Sequence, residues 1–333
     1  MENVMKHYLA LPVIAIFTSL ATLGSSALAS SDGVNYPEKP IRLIVPFAPG
    51  GPNDTVARLM TPKLSEELGQ PVVVENRGGA GGVIGTDAVA KAEADGYVIG
   101  ISSAGALAIS KSVQDQMPYD TLTDLAPITL IATVPELLVT SPDVEAQTLP
   151  ELIQWAKDNP GYLNYASSGP GGMQHLAGEM LNYEAGIDTV HIPYRGAAPA
   201  VLDVVGGQVD MMFADLPILL SQVKEGALRP IAVGSKTRSS ALPDIPTTAE
   251  MGLANVVAEN WYGIVAPQGT PEAILETLHT AFYATLTDPD VVAALELQGL
   301  EIIASSPEAF SDYIAQETQR WADVVEATGA ILQ

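Results

Sequence analysis

Three glycine-bearing segments carry the residues best suited to chemistry: Pro46-Phe47-Ala48-Pro49-Gly50-Gly51-Pro52-Asn53-Asp54, Gly78-Gly79-Ala80-Gly81-Gly82 and Ser167-Ser168-Gly169-Pro170-Gly171-Gly172. Each lies where a short apolar run gives way to a stretch of helical period. At such a junction glycines bring free backbone N–H groups, at the positive end of a helix dipole, into contact with a carboxylate or phosphate. The chemistry predicted is therefore anion binding by backbone, with Gly50, Gly51, Gly81 and Gly169 as points of close approach. Asn53, Ser102, Ser103 and Ser167 stand beside them as further binding candidates, and Phe47 as either a ligand wall or a core residue. Asp54 reads as a helix cap that holds the first loop. Asp215 either caps its own helix or accepts a hydrogen bond from a ligand hydroxyl or amine. Arg195, in Pro193-Tyr194-Arg195-Gly196, is one of few cations near these loops and pairs either with a ligand carboxylate or with a structural acid. His175 reads as a first-turn residue bonding the glycine loop or a ligand.

Other chemistries fit less well. A dinucleotide fingerprint through Gly79 and Gly81 needs glycine at position 84, where Ile84 stands. Gly234-Ser235-Lys236-Thr237 imitates the tail of a phosphate-binding loop, but Gly and Lys are not adjacent and no helix start follows. No G-x-S-x-G elbow occurs, so a hydrolase would have to combine His175 with Ser167 or Ser168, oriented by Asp215. A metal reading would use His175, Glu179 and His191, without a helical H-E-x-x-H motif. With no Cys in the chain, thiol catalysis and thiolate metal sites are excluded.

The elements that position these residues alternate strand and helix. Residues 41–45 read as a buried strand, followed by a helix from Asp54 whose apolar face is Val56, Leu59, Met60, Leu64 and Leu68, ended by Gly69 and kinked or started late by Pro62. Strands at 72–74 and 97–101, with a short helix between, complete the unit. Thr148-Leu149-Pro150-Glu151 is a capping box that opens a new series. Strands at 163–166, 189–192, 209–213 and 230–233, with helices between them, predict a second parallel sheet with right-handed crossovers. A strand at 261–266 and two helices opened by Thr270-Pro271 and Ser306-Pro307 then need a sheet to cover, and the first has a bare face. The chain is thus expected to cross twice between lobes, giving an α/β two-lobed fold: a discontinuous domain of 36–134 with 256–333, a second domain of 135–255, and a ligand cleft between them.

Composition bounds the rest. The 333 residues, 47% hydrophobic and 16% charged, suit two lobes that each bury a core. A formal charge of −24 repels phosphate backbones and anionic membrane surfaces, which argues against nucleic acid as a partner. A small anion site must be built locally, because charge is screened over about 8 Å. Lys6 and His7, the apolar run at 9–23 and Ala27-Leu28-Ala29 read as a cleaved secretory signal spanning 1–29. Its run falls short of the ~20 residues a spanning helix needs. An exported chain without Cys relies on its core rather than on disulfides.

The order Pro40-Ile41-Arg42-Leu43-Ile44-Val45-Pro46-Phe47, Pro49-Gly50-Gly51 and Asp54 closely resembles the opening of the Bug family, periplasmic solute receptors of tripartite tricarboxylate transporters. The likeness continues through Asn76-Arg77, Gly79-Ala80-Gly81-Gly82, Met117-Pro118-Tyr119-Asp120, Tyr165-Ala166-Ser167-Ser168-Gly169 and Gln174-His175-Leu176-Ala177-Gly178-Glu179. It extends through His191-Ile192-Pro193-Tyr194-Arg195-Gly196, Leu242-Pro243-Asp244-Ile245-Pro246-Thr247 and Gly263-Ile264-Val265-Ala266-Pro267. The resemblance implies a two-lobed "Venus flytrap" receptor, without catalysis or cofactor, that captures a small organic acid and delivers it to membrane permease subunits. It also implies that loops such as 47–54 and 167–172 hold the ligand carboxylate through backbone groups and water. A monomer is the expected state for a receptor that docks on a transporter, and coupling to a sensor kinase is the alternative destination. Gly78 stands where the family usually has proline, and Pro170-Gly171-Gly172-Met173 fills its loop uncommonly.

Overall fold

The computed structural model describes residues 35–114 and 116–330, so the predicted leader at 1–29 lies outside the described residues. The chain opens with β1 (Ile41–Val45), α1 (Pro52–Leu68), β2 (Val72–Asn76), a 3₁₀ turn at Ala80–Gly82, α2 (Val83–Ala90) and β3 (Val98–Ser103). A π-helical turn at Gly105–Ile109 leads into α3 (Ser110–Val113) and α4 (Thr121–Asp124), and then into the 16-residue β4 (Leu125–Thr140). Next come α5 (Leu149–Asp158), β5 (Asn164–Ser167), α6 (Met173–Ala185), β6 (Val190–Pro193), α7 (Ala197–Val205), β7 (Met211–Asp215), α8 (Leu216–Lys224) and β8 (Arg229–Val233). The return brings β9 (Glu259–Pro267), α9 (Glu272–Leu286), α10 (Pro289–Glu296), β10 (Glu301–Ile302) and α11 (Pro307–Thr328).

The helix after β1 starts two residues before Asp54, with Pro52 in its first turn. Proline's fixed φ and missing N–H suit that position, and Asp54 becomes a first-turn residue instead of the cap. Pro62 is accommodated inside α1: it cannot donate to the Arg58 carbonyl, and the Thr61 hydroxyl donates there instead at 3.3 Å. Thr148 and Ser306 do cap α5 and α11, accepting from the N–H groups of Glu151 and Ala309. Thr270 does not cap α9, which starts from Pro271; its hydroxyl turns back to the Pro267 carbonyl.

Two sheets share β4. In the first, β2-β1-β3 are parallel, β9 lies antiparallel between β3 and β4, and β10 pairs β4 at Ala132 and Thr133. In the second, β7, β5 and β6 are parallel and β7 lies antiparallel to β4. The expected run of four neighbouring parallel strands is broken here, because β8 pairs β4 and not β7. The long strand takes that place because it is buried on both faces almost throughout and needs a partner on each edge. Its pairing passes from β9 to β7 and β8 between Pro135 and Glu136.

Two core layers cover the opposite faces of both sheets. One gathers α1, α7, α8 and α9 through Met60, Val201, Leu219 and Phe282; the other gathers α2, α5, α6 and α11 through Val89, Leu152, Leu176 and Trp321. Gly263 of β9 lets the Phe310 ring lie against the strand, where a Cβ would come within 2.0 Å of that ring. Trp261 meets the same ring edge-on, with centroids 5.8 Å apart. A Phe310→Ala variant leaves a void under β9 and is expected to lose about 3–5 kcal/mol of unfolding free energy, read from the urea midpoint at unchanged slope.

Candidate functional site

The carboxyl ends of β1, β3, β5, β6 and β7 lead to one small cavity. Its wall comprises Phe47, Pro52, Asn53, Gly81, Ser103 and Gly105 from the first series of elements. From the second come Ser168, Gly172, Met173, Gln174, Ala197 and Asp215, and β9 adds Asn260. The cavity measures about 10 Å³, roughly the space of one water molecule. The N-termini of α1, α6 and α7 supply Pro52, Asn53, Met173, Gln174 and Ala197 to this wall. No lysine, arginine or histidine lines it. Positive potential therefore comes from three helix ends, each equivalent to roughly half a charge, and not from side chains.

Asp54 shapes the first loop from behind. Its Oδ2 accepts from the Gly50 N–H and from Arg58 Nε, both at 2.9 Å, and its Oδ1 accepts from Asn76 Nδ2 at 2.9 Å. The same amide donates to the Phe47 carbonyl at 3.1 Å, so loop, helix and β2 are tied together. Burial raises the Asp54 pKa, but the Arg58, Gly50 and Asn76 hydrogen bonds outweigh it and hold the carboxyl below its ordinary value. A carboxyl with a depressed folded pKa stabilises the native state above its unfolded value and loses that contribution as pH falls through the folded one. The stability gap between wild type and Asp54→Asn is thus expected at neutral pH and should close in acid below the ordinary Asp range near 3.8, as followed by thermal unfolding.

The second loop crosses to the third. Gly81 holds φ +62°, and a Cβ on it would sit 2.8 Å from the Pro170 carbonyl oxygen and 3.3 Å from Gly172 N. Gly169, at φ +135°, would in turn place a Cβ 2.9 Å from Gly81 N. Only residues without a side chain let these two backbones pass so closely.

In the third loop, Ser168 donates to Gln174 Oε1, and Gln174 Nε2 donates to Glu136 Oε1 at 2.8 Å. Glu136 faces Asp215 across the β4–β7 register. Asp215 Oδ1 accepts from Asn260 Nδ2 at 2.8 Å, and Oδ2 accepts from the Tyr262 hydroxyl. Burial raises both carboxyls. Glu136, further raised by the charge of Asp215 and a hydrogen bond to it, stands well above the usual range, whereas Asp215 is drawn back by Glu136, Tyr262 and Asn260. The two carboxyls face each other and titrate as a unit.

Of the residues proposed from sequence, Phe47, Asn53, Gly81, Ser103 and Asp215 meet at the cavity. Gly50, Gly51 and Asp54 belong to the first loop but do not line the cavity. Ser102 is turned to Thr86, with their hydroxyls 2.9 Å apart. Ser167 bonds His191 Nε2 at 2.6 Å and Gly169. His175 Nδ1 accepts from the Gly171 N–H at 3.3 Å, which is the loop-bonding role anticipated for it. Arg195 is exposed and outside the wall. Asp215 makes no side-chain cap on α8. Sequence reasoning missed Glu136, Gln174 and Asn260. The signal for Glu136 was a lone acid after Pro135 in an otherwise apolar run, and for Asn260 a lone amide entering a buried strand.

The hydrolase alternative finds no triad. Ser167 and Ser168 are bonded to His191 and Gln174, not to His175, and Asp215 is engaged by Asn260 and Tyr262. His175 and His191 stack face to face at 4.3 Å, and burial together with His175 pushes His191 down to about 3, too low for a general base. Among the described residues no group of three or more His, Cys, Asp or Glu side chains is placed to hold a metal ion.

Residues 56–330 match the family model described as the tripartite tricarboxylate transporter family receptor. The chain is 42% identical over 324 residues to Protein BugT of Bordetella pertussis, covering 97% of this chain and 98% of the relative. The solved structure of periplasmic binding protein BugD superposes with a TM-score of 0.87 at 36% identity, over 90% of this chain and all of that one. The structure of R. palustris Rpa4515 with adipate gives a TM-score of 0.86 at 34% identity, over 88% of this chain and 98% of its own.

Proposed function

This chain belongs to the tripartite tricarboxylate transporter receptor family, and from that membership we propose that it captures a small organic carboxylate in the periplasm and delivers it to the permease subunits of such a transporter. It acts as a binding protein without catalysis, made with a signal peptide at 1–29 and working as a monomer. Its lobes are residues 36–134 with 256–333, and residues 135–255. They close on the ligand by bending where β4 changes partners at Pro135 and Glu136 and where residues 256–258 return.

The observation that carries this reading is the convergence of three helix N-termini on a cavity with no cationic side chain. That arrangement suits a small anion held by backbone N–H groups. Phe47, Asn53, Gly81, Ser103, Ser168 and Asp215 form the contact set, with Gly50, Gly51, Asp54, Ser102, Ser167, Gly169 and His175 fixing the loops. The adipate bound by the R. palustris relative supports a carboxylate as the ligand class.

Thermal unfolding across a panel of mono-, di- and tricarboxylates and neutral analogues tests it. A ligand at 100 times its Kd adds about 2.7 kcal/mol to the native state, so one acid class should raise Tm selectively while its neutral amide does not. Equal shifts for acids and neutral analogues, or none for any, would remove the carboxylate.

A further inference from the structure

The polar groups of the cavity wall are almost all engaged with one another, and the few that are not define what a ligand must bring. Gln174 is engaged at both ends, by Ser168 and Glu136, and Asn260 likewise by Asp215 and the Trp261 N–H. Asn53 is different: it is 3% exposed, lines the cavity, and its Nδ2 has no hydrogen-bond partner. A buried amide donor left open costs free energy unless something accepts from it, so this side of the cavity calls for an acceptor.

Asp215 makes the opposite demand. It is 2% exposed and is the one ionisable residue in the wall. Asn260, Tyr262 and the neighbouring Glu136 take up three of the roughly four lone-pair directions of its carboxylate. The last is free for the cavity. Asn260 Nδ2 and the Tyr262 hydroxyl both approach Asp215 as donors, so it stands in the wall as an acceptor, and no cation in the wall faces it. A second carboxylate brought against it would set acceptor against acceptor in a buried site.

We propose that the ligand is a carboxylate whose opposite end is an N–H or O–H donor, an ammonium, amide or hydroxyl group, held by Asp215 while its acid end faces Asn53 and the helix N-termini. The inference rests on the carboxylate-receptor reading and narrows its substrate class. Such a ligand completes both open valences, whereas a plain α,ω-dicarboxylate completes one and opposes the other.

Isothermal titration of the mature protein at neutral pH decides it, using succinate, glutarate and adipate against the ω-amino and ω-amido monocarboxylates of the same chain lengths. The donor-bearing acids are expected to bind roughly tenfold or more tighter than the dicarboxylate of equal length. In Asp215→Asn, whose amide donates to a carboxylate as readily as it accepts, that ratio should collapse or invert. A dicarboxylate binding as tightly as its donor-bearing partners in the wild type overturns the inference and leaves the receptor reading standing. So does an unchanged ratio in the variant. Absence of binding by every acid overturns both. Should Asp215→Asn fail to fold, the wild-type ratios alone separate the two classes of acid.

Discussion

A Gly81→Val substitution is expected to weaken carboxylate binding by about 100-fold while costing only about 1–2 kcal/mol in overall stability. The smaller figure is the strain of a β-branched residue at φ +62°. The larger effect comes from the neighbour that the new side chain meets. The Pro170 carbonyl oxygen, 2.8 Å from the Cβ position, is backbone and cannot rotate away. It also belongs to the loop preceding α6, so the clash is relieved when the two loops part and restored when they meet. Folding tolerates the parted arrangement, but a ligand touching both loops does not. Calorimetric titration beside thermal unfolding separates the two quantities. Unchanged affinity would mean that loops 78–82 and 167–172 need not touch around the ligand.

The second large effect concerns Glu136. A Glu136→Ala variant leaves the buried Asp215 without its facing carboxyl and Gln174 Nε2 without an acceptor, and should cost about 3–5 kcal/mol of stability. Glu136→Gln preserves shape and neutrality and should retain most of the native stability at neutral pH. The two proteins then differ as pH rises above the ordinary Glu range. A carboxyl whose folded pKa is raised contributes fully below its unfolded value near 4.5 and loses that contribution as pH rises through the folded one. Wild type is expected to lose stability with rising pH where Glu136→Gln does not, and urea unfolding from mildly acid to alkaline pH reads the divergence directly. Parallel curves would place the proton elsewhere than on Glu136.

Much of this was legible in the amino-acid sequence because glycine and proline act locally. Gly69 and Gly186 end α1 and α6 in left-handed conformations, Thr148 and Ser306 cap their helices, and the three glycine loops fall at strand ends. What escaped was set by distant partners. β4 lacks the alternation of a half-exposed strand because it is covered on both faces, and β8 follows the local strand–helix pattern yet pairs a strand some ninety residues earlier. α10 was missed although Asp288 caps it ahead of Pro289 in the same manner as Ser306 before Pro307. In the site, the loops were readable but the contact atoms were not. Asp54 and Ser167 turn inward to brace the backbone, whereas Asn260 enters from a strand more than forty residues beyond Asp215.

A single strand that serves two sheets also governs how the chain acquires its structure. Leu125–Pro135 waits for β9, which arrives only after residue 258, while Glu136–Thr140 waits for β7 and β8. The first sheet is incomplete until β9 and β10 have emerged, near the end of the chain, and both core layers run through both halves. The lobes are therefore not independent folding units. Unfolding is expected as one cooperative transition, and a fragment ending at residue 255 would carry an eleven-residue apolar strand edge with nothing to pair it.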